Sequence, residues 1–316
     1  MVKSIICTLF EGHYHYGVAA LINSLHTNGF KGKIYIGYKG ELPEWVKGEK
    51  NTIAEWHDVI IMKTMQHIHL HFLPITTGWH LSNYKPDFFL QVIEKIKPEF
   101  DLLFYFDPDI VIAYPWDFFE SWAQQGVCLV QEIAAVAMPS SHPVRHEWKK
   151  IIRALNYPMS CHLHAGLNSG FCGVSKTNIS FLKYWSNLLH HVVRYNQVNP
   201  SVFAQTNAGH AFHFADQDTF NMAAMCYDGE ISEMGPDAMS FINGGWKVMA
   251  HATGFPKPWK KNCLLYALKG FPPSIAEKAY WKNADGFIKV RNSGSILLKK
   301  LYIKLASFIG RFYRRY

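Results

Sequence analysis

Apolar residues along the chain keep two alternating rhythms. Short, nearly unbroken apolar runs at residues 4–9, 33–38, 59–62, 102–106, 127–131 and 170–174 predict strands covered on both faces. Between them, residues 16–26, 86–96, 179–195 and 216–225 repeat apolar positions every three or four residues, which predicts helices. Pro86 falls where a first helical turn tolerates proline. Strand and helix in alternation predict an α/β fold with a mostly parallel central sheet and helices on both faces. In such sheets ligands bind at the carboxyl ends of the strands.

Composition bounds the function class. Of 316 residues, 49% are hydrophobic and 18% charged, enough for a sizeable core and against wholesale disorder. Six scattered cysteines form no C-x-x-C pair, which predicts reduced core thiols in a cytosolic setting. The apolar run at residues 5–10 meets Glu11 at once and does not read as a signal peptide. No apolar stretch reaches the roughly 18 residues of a membrane span. Nucleotide-binding glycine loops, the H-E-x-x-H zinc motif and the G-x-S-x-G elbow are all missing.

Charge divides the chain unevenly. Residues 1–281 carry equal numbers of acids and bases, so the whole net charge of +8 lies beyond them. A neutral body argues against nucleic acid as a partner. The sequence therefore divides into a main domain at 1–281 and a basic tail at 282–316. In that tail Leu297, Leu298, Leu301, Leu305, Phe308, Ile309 and Phe312 share an arc of about 120° on a helix. Lys299, Lys300, Lys304, Arg311, Arg314 and Arg315 occupy the rest. The pattern predicts an amphipathic helix on an anionic membrane, attached peripherally at its cytoplasmic face. The plainer alternative is a helix docked on the body with a solvated basic face.

Four short motifs carry the chemistry. The strand 102–106 drives into Asp107-Pro108-Asp109 and resumes as an apolar run. Carboxylates so placed are costly unless paired or on a metal, and hard oxygens at a strand tip suit Mg²⁺ or Mn²⁺. An Asx turn accounts for many such triplets. Asn168-Ser169-Gly170 places small residues at another strand start. Asp216, Gln217 and Asp218 open a helix, where capping is the ordinary role of acids. Last comes His251-Ala-Thr-Gly254-Phe-Pro-Lys257-Pro-Trp259, with an imidazole, a point charge and a glycine open to phosphate. The histidines at 67, 69 and 71, after Gln66, could share a strand face, as a polar rim rather than a metal site. His13 and His15 follow the first strand, where a nucleotide would approach.

In that order the four motifs resemble the GT-A glycosyltransferases, and most of all glycosyltransferase family 8, which includes glycogenin and bacterial lipooligosaccharide galactosyltransferases. The resemblance spans residues 4–260. It implies a GT-A fold and metal-dependent transfer of a sugar, with retention, from a nucleotide-diphosphate donor to a glycan or lipid-linked acceptor in surface polysaccharide or lipooligosaccharide synthesis. It implies Asp107, Asp109 and His251 as ligands of Mn²⁺ or Mg²⁺. Gly254, Lys257 and Lys85 match diphosphate contacts, and Asn168, Asp216 and Gln217 line the donor sugar, the last two at the reaction centre. Thr8 matches the edge that meets the base. There the chain reads Phe10-Glu11-Gly12-His13-Tyr14, where that family shows an acid or Asn followed by Asn-Tyr. A non-catalytic glycan-binding relative and a nucleotide-sugar phosphohydrolase are the competing readings.

Overall fold

A computed structural model describes residues 2–64, 67–206 and 211–313; Gln66, Arg314 and Arg315 lie outside them. In chain order the strands and helices are β1 (Ser4–Glu11), α1 (His15–Thr27), β2 (Gly32–Lys39), β3 (Glu49–Ile53), β4 (Trp56–Lys63), β5 (Ile68–Pro74), α2 (Lys85–Gln91), β6 (Leu102–Phe106) and β7 (Ile110–Ile112). There follow α3 (Trp116–Ala123), β8 (Val127–Val130), α4 (Pro143–Ala154), β9 (Phe171–Ser175), α5 (Ser180–Tyr195), α6 (Ala215–Cys226), β10 (Ile231–Met234), β11 (Met249–His251), α7 (Cys263–Leu268), α8 (Ile275–Asn283) and α9 (Ser293–Ile309).

Among the described residues, nine strands form one sheet in the order β10-β8-β9-β6-β1-β2-β5-β4-β3. Its centre, β6-β1-β2-β5, is parallel, whereas β9 and β4 run against their neighbours. Period-two alternation divides the core. Ile5, Cys7 and Leu9 of β1 pack with Phe88 and Phe89 of α2, Trp185 of α5 and Phe220 of α6. Ile6 and Phe10 point the other way, toward Leu21 and Ile22 of α1 and Phe119 of α3. The sheet is thus buried on both faces, as its unbroken apolar strands require.

A second ribbon pairs β7 with β11 antiparallel, setting His251 opposite Ile110. A third apolar cluster packs Trp259, Cys263, Ala267, Trp281, Ile303 and Ala306, joining α7, α8 and α9 to the body. All six cysteines are free. No helix among the described residues is long and apolar enough to cross a membrane.

The terminal helix forms as its spacing predicts, and Asn292 caps it by accepting from the Ser295 amide. It docks through Ile296, Ile303 and Ala306. The side facing away from the protein carries Leu297, Leu301, Leu305, Phe308 and Phe312, each about half exposed or more. The helix docks, as the plainer expectation has it, and its outward side carries the apolar stripe together with exposed Lys304 and Arg311.

Three histidine groups find ordinary structural uses. His71 lies on β5, 8% exposed, with its ring centroid 5.0 Å from that of Tyr35. His13 Nδ1 accepts from the Trp259 indole at 2.9 Å, and His15 Nδ1 from that of Trp45 at 3.2 Å. Burial lowers the pKa of both His13 and His15, which keeps those lone pairs free.

Candidate active site

The site begins with a strand that runs out of neighbours. All of β6 is buried, and β9 begins beside its end, where the Asp107 amide donates to the Gly170 carbonyl at 2.7 Å. The chain then turns through Pro108, the Ile110 amide bonding back to the Asp107 carbonyl. It re-enters pairing as β7 against β11, so His251 arrives beside the two aspartates. One ligand atom from each of Asp107, Asp109 and His251 lies within 4.8 Å of the other two. His251 Nε2 is 3.3 Å from Asp109 Oδ1 and 3.8 Å from Asp107 Oδ2, while its Nδ1 is buried without a partner. The imidazole Nε2 facing two carboxylates fits a divalent ion with mixed oxygen and imidazole ligands.

Two buried lysines hold these carboxylates. Lys257 Nζ meets Asp109 Oδ2 at 2.6 Å and the Ala252 and Thr253 carbonyls at 2.8 and 3.3 Å. Its three donors are therefore all in use. Lys85 Nζ sits 3.1 Å from both Asp107 Oδ1 and Asp216 Oδ2, and donates to the Ser169 carbonyl at 3.2 Å. Burial alone would raise the pKa of Asp109, but His251 and then Lys257 outweigh it and hold the carboxyl well below the usual range. Burial likewise works against the Lys85 ammonium, and Asp107 and Asp216 overcome it, leaving its pKa raised. Removing one partner from such a buried pair costs about 3–5 kcal/mol.

Around this centre lies a cavity of about 480 Å³, within the range of small-molecule sites. Lys85, Asp107, Asp109, Asn168, Asp216, Gln217, His251 and Lys257 all line it. Asn168 is fixed by Glu132 Oε2 at 2.5 Å and accepts from the Gly170 amide at 2.9 Å. Gln217 Oε1 accepts from the Ser169 amide at 3.4 Å. Asp216 takes no capping role, since its carboxylate faces Lys85 and the Ser169 hydroxyl. Asp218 is the capping acid, accepting from the Phe214 amide, and burial raises its pKa well above the usual carboxylate range.

Two expected residues sit apart from the cavity wall. Thr8 is fully buried in β1 with its hydroxyl unpartnered, and its neighbours Leu9, Phe10 and Glu11 form the wall instead. Gly254 does not line the cavity, and a Cβ there would meet nothing within 4 Å. The glycines that packing demands are others. A Cβ on Gly170 would stand 2.5 Å from His251 Cε1, 2.8 Å from Asn168 Oδ1 and 3.0 Å from Asp107 Oδ2. A Cβ on Gly17 would collide with the Pro108 carbonyl, so α1 braces the aspartate turn only with glycine there. Tyr105 also escaped the sequence reading; its hydroxyl donates to Asp107 Oδ1 at 2.7 Å. Its position one residue inside the strand end was the available signal. Glu132 and Gly17 lie in segments with no motif.

No protein-family model matches the sequence, and no curated protein does. Solved structures do. The galactosyltransferase LgtC, in complex with donor and acceptor sugar analogs, superposes with a TM-score of 0.51 at 12% identity, over 93% of this chain and 99% of that one. The bifunctional glycosyltransferase WbbM gives 0.51 at 14% identity, over 95% of this chain. The glycosyltransferase GlyE of Streptococcus pneumoniae TIGR4 aligns over 97% of this chain at 14% identity with a TM-score of 0.48. This chain spans 64% of the GlyE structure and 52% of WbbM. At these identities the likeness concerns architecture, and the architecture is the GT-A glycosyltransferase fold.

Proposed function

We propose that the chain is a metal-dependent glycosyltransferase that moves a sugar from a nucleotide-diphosphate donor to a glycan or lipid-linked acceptor. The observation that carries the reading is the convergence of Asp107, Asp109 and His251 on one edge of the cavity. The charge of the wall supports it. Glu11, Asp107, Asp109, Glu132 and Asp216 face only Lys85 and Lys257 as permanent cations. Such a wall repels a nucleotide diphosphate unless a divalent ion accompanies it. Mn²⁺ or Mg²⁺ would be held by the two aspartates and the imidazole, and when bound would supply Lewis-acid neutralisation of the leaving diphosphate.

The chain's own groups do the rest. The bond from the anomeric carbon to the diphosphate oxygen breaks with its electron pair leaving on that oxygen, as the acceptor oxygen bonds the same carbon. The acceptor's proton ends on the departing diphosphate. Lys257 and Lys85, freed of part of their carboxylate duty once an ion shares it, add positive charge where the diphosphate develops its negative charge. Gln217 and Asp216 stand where the electron-poor sugar ring would lie, and Asn168 orients the sugar hydroxyls. Transfer on the same face of the sugar gives retention, with surface polysaccharide or lipooligosaccharide synthesis as the setting.

A nucleotide-sugar panel with Mn²⁺ tests this by nucleoside-diphosphate release, with and without glycan acceptors. Release should need an acceptor, stop in chelator, and fall by orders of magnitude in Asp109→Asn. Undiminished release in chelator refutes the metal; free sugar without acceptor dependence makes the protein a hydrolase. The outward stripe of α9 further supports a peripheral place on the cytoplasmic face of a membrane, since exposed leucine and phenylalanine beside Lys304 and Arg311 suit an anionic interface. The protein should float with anionic vesicles at low salt, and Leu301→Ser/Leu305→Ser/Phe308→Ser should not. Equal flotation of both would place the contact elsewhere.

A further inference from the structure

A second cavity, about 230 Å³, opens between α4, the segment 158–163 and the end of α6. It shares no lining residue with the central one. Three cations line it, Arg145, Lys149 and Arg153, four residues apart on one face of α4. His162 and Ser140 join them, and no carboxylate does. None of the three is in an ion pair among the described residues.

Arg145 is the unusual member. It is 1% exposed, deeper than arginine is normally found without an acidic partner. Its Nε donates to the Met138 carbonyl at 2.6 Å and its Nη2 to the Ala165 carbonyl at 2.7 Å. Nη1 is buried with no hydrogen-bond partner. Burial draws its pKa down to about 10, so it stays cationic at neutral pH. Lys149 donates to the Ser140 carbonyl and hydroxyl, both at 2.6 Å, which fixes its ammonium at the cavity. Glu233 acts on the guanidinium from a distance without pairing with it, so beside Lys149 and Arg153 the cavity keeps a surplus of positive charge.

We propose that this cavity binds the phosphate group of a phosphomonoester, with Lys149 and Arg153 as its donors and the buried Arg145 guanidinium behind them adding positive charge. A dianion matches the cluster, whereas a single carboxylate leaves most of its charge uncompensated. The volume is below that of sites for drug-sized ligands, yet several times a water's share of about 30 Å³. It therefore holds a phosphoryl group with a sugar-sized neighbour. Arg145 also ties the segment carrying Met138 to that carrying Ala165, and Ala134 of the former segment lines the central cavity.

Calorimetry on the full chain, with chelator present and at low ionic strength, supplies the test. Inorganic phosphate and glucose 6-phosphate are titrated separately. Each should bind once per chain; tighter binding of glucose 6-phosphate identifies a phosphorylated sugar, and equal binding identifies free phosphate. Lys149→Met/Arg153→Gln, which spares the core, should weaken binding by at least about tenfold. Cys161 lines the cavity and is the only cysteine not buried. Its alkylation should slow with either ligand in the wild type and not in the double variant. Absence of saturable binding at millimolar phosphate overturns the proposal. So does undiminished affinity in the double variant, which would move the anion to Lys85 and Lys257.

Discussion

Gly170→Ala adds one methyl group, and its cost follows from three distances. The new Cβ would lie 2.5 Å from His251 Cε1, 2.8 Å from Asn168 Oδ1 and 3.0 Å from Asp107 Oδ2. Ordinary contact begins near 3.4 Å, so the imidazole must retreat by about 0.9 Å, and the amide and carboxylate by about 0.6 and 0.4 Å. The backbone cannot give way, because the Gly170 carbonyl and amide are both bonded, to the Asp107 amide and to Asn168 Oδ1. Nor does alanine strain the chain there, since Gly170 is not among the positive-φ glycines. The perturbation is therefore purely steric and falls on the groups proposed to hold the ion. Overpacking of this kind costs about 1–3 kcal/mol in stability. A displacement near 1 Å of reacting groups costs about 100-fold in rate. Thermal denaturation should show a modest loss, Mn²⁺ titration at least tenfold weaker binding, and nucleoside-diphosphate release about 100-fold slower turnover. A folded Gly170→Ala protein with wild-type metal affinity and rate would refute the placement of the site.

Lys257→Ala should weaken nucleoside-diphosphate binding by about 1–3 kcal/mol by calorimetry; equal affinities would confine the lysine to pairing with Asp109. Gln217→Ala should lower kcat more than it raises the donor KM, because its role belongs to the transition state; a rise in KM alone makes it a binding residue. His71 should make stability pH-dependent. Burial, then Lys33, lowers its pKa from 6.5 to about 4, so as pH falls the unfolded chain takes up the proton first. Its contribution is complete above pH 6.5 and lost between there and about 4, at most about 3 kcal/mol. His71→Phe should flatten the denaturation profile by up to one proton over that window, and an unchanged slope would contradict it.

The strands and helices with strong periodicity were legible because burial on two faces leaves an unbroken apolar record, as in β1, β2 and β6. β3 was not, since four of its five residues are exposed and it pairs only at the sheet edge. β10 and β11 are too short for any period to register. At the site, eight of the expected residues do gather on one cavity, because most stand at strand or helix ends that the sheet brings together and Lys257 folds back from its loop onto Asp109. Thr8 fell one residue out of register, where a period of two decides which side chain faces the ligand. Lys257 and Lys85 read as free charges in the sequence, and their pairing with Asp109, Asp107 and Asp216 is a product of tertiary contact alone. The tail's helix and its apolar stripe were legible, whereas the docking set Ile296, Ile303 and Ala306 was not, for which residues dock depends on what α7 and α8 offer them.

The β7–β11 ribbon joins chain positions more than a hundred residues apart, and it is only three pairs long. Two of the three metal-facing groups lie just before one strand, and the third ends the other. A long loop must close before that register exists, and little backbone pairing rewards the closure. Ion affinity and ribbon closure are consequently one equilibrium. Any ion that favours the closed ribbon stabilises the whole protein, by an amount that grows with the logarithm of its concentration over its dissociation constant. Melting temperature measured against Mn²⁺ then becomes a ruler for a single long-range join, sensitive to changes on either strand even where no activity can yet be assayed.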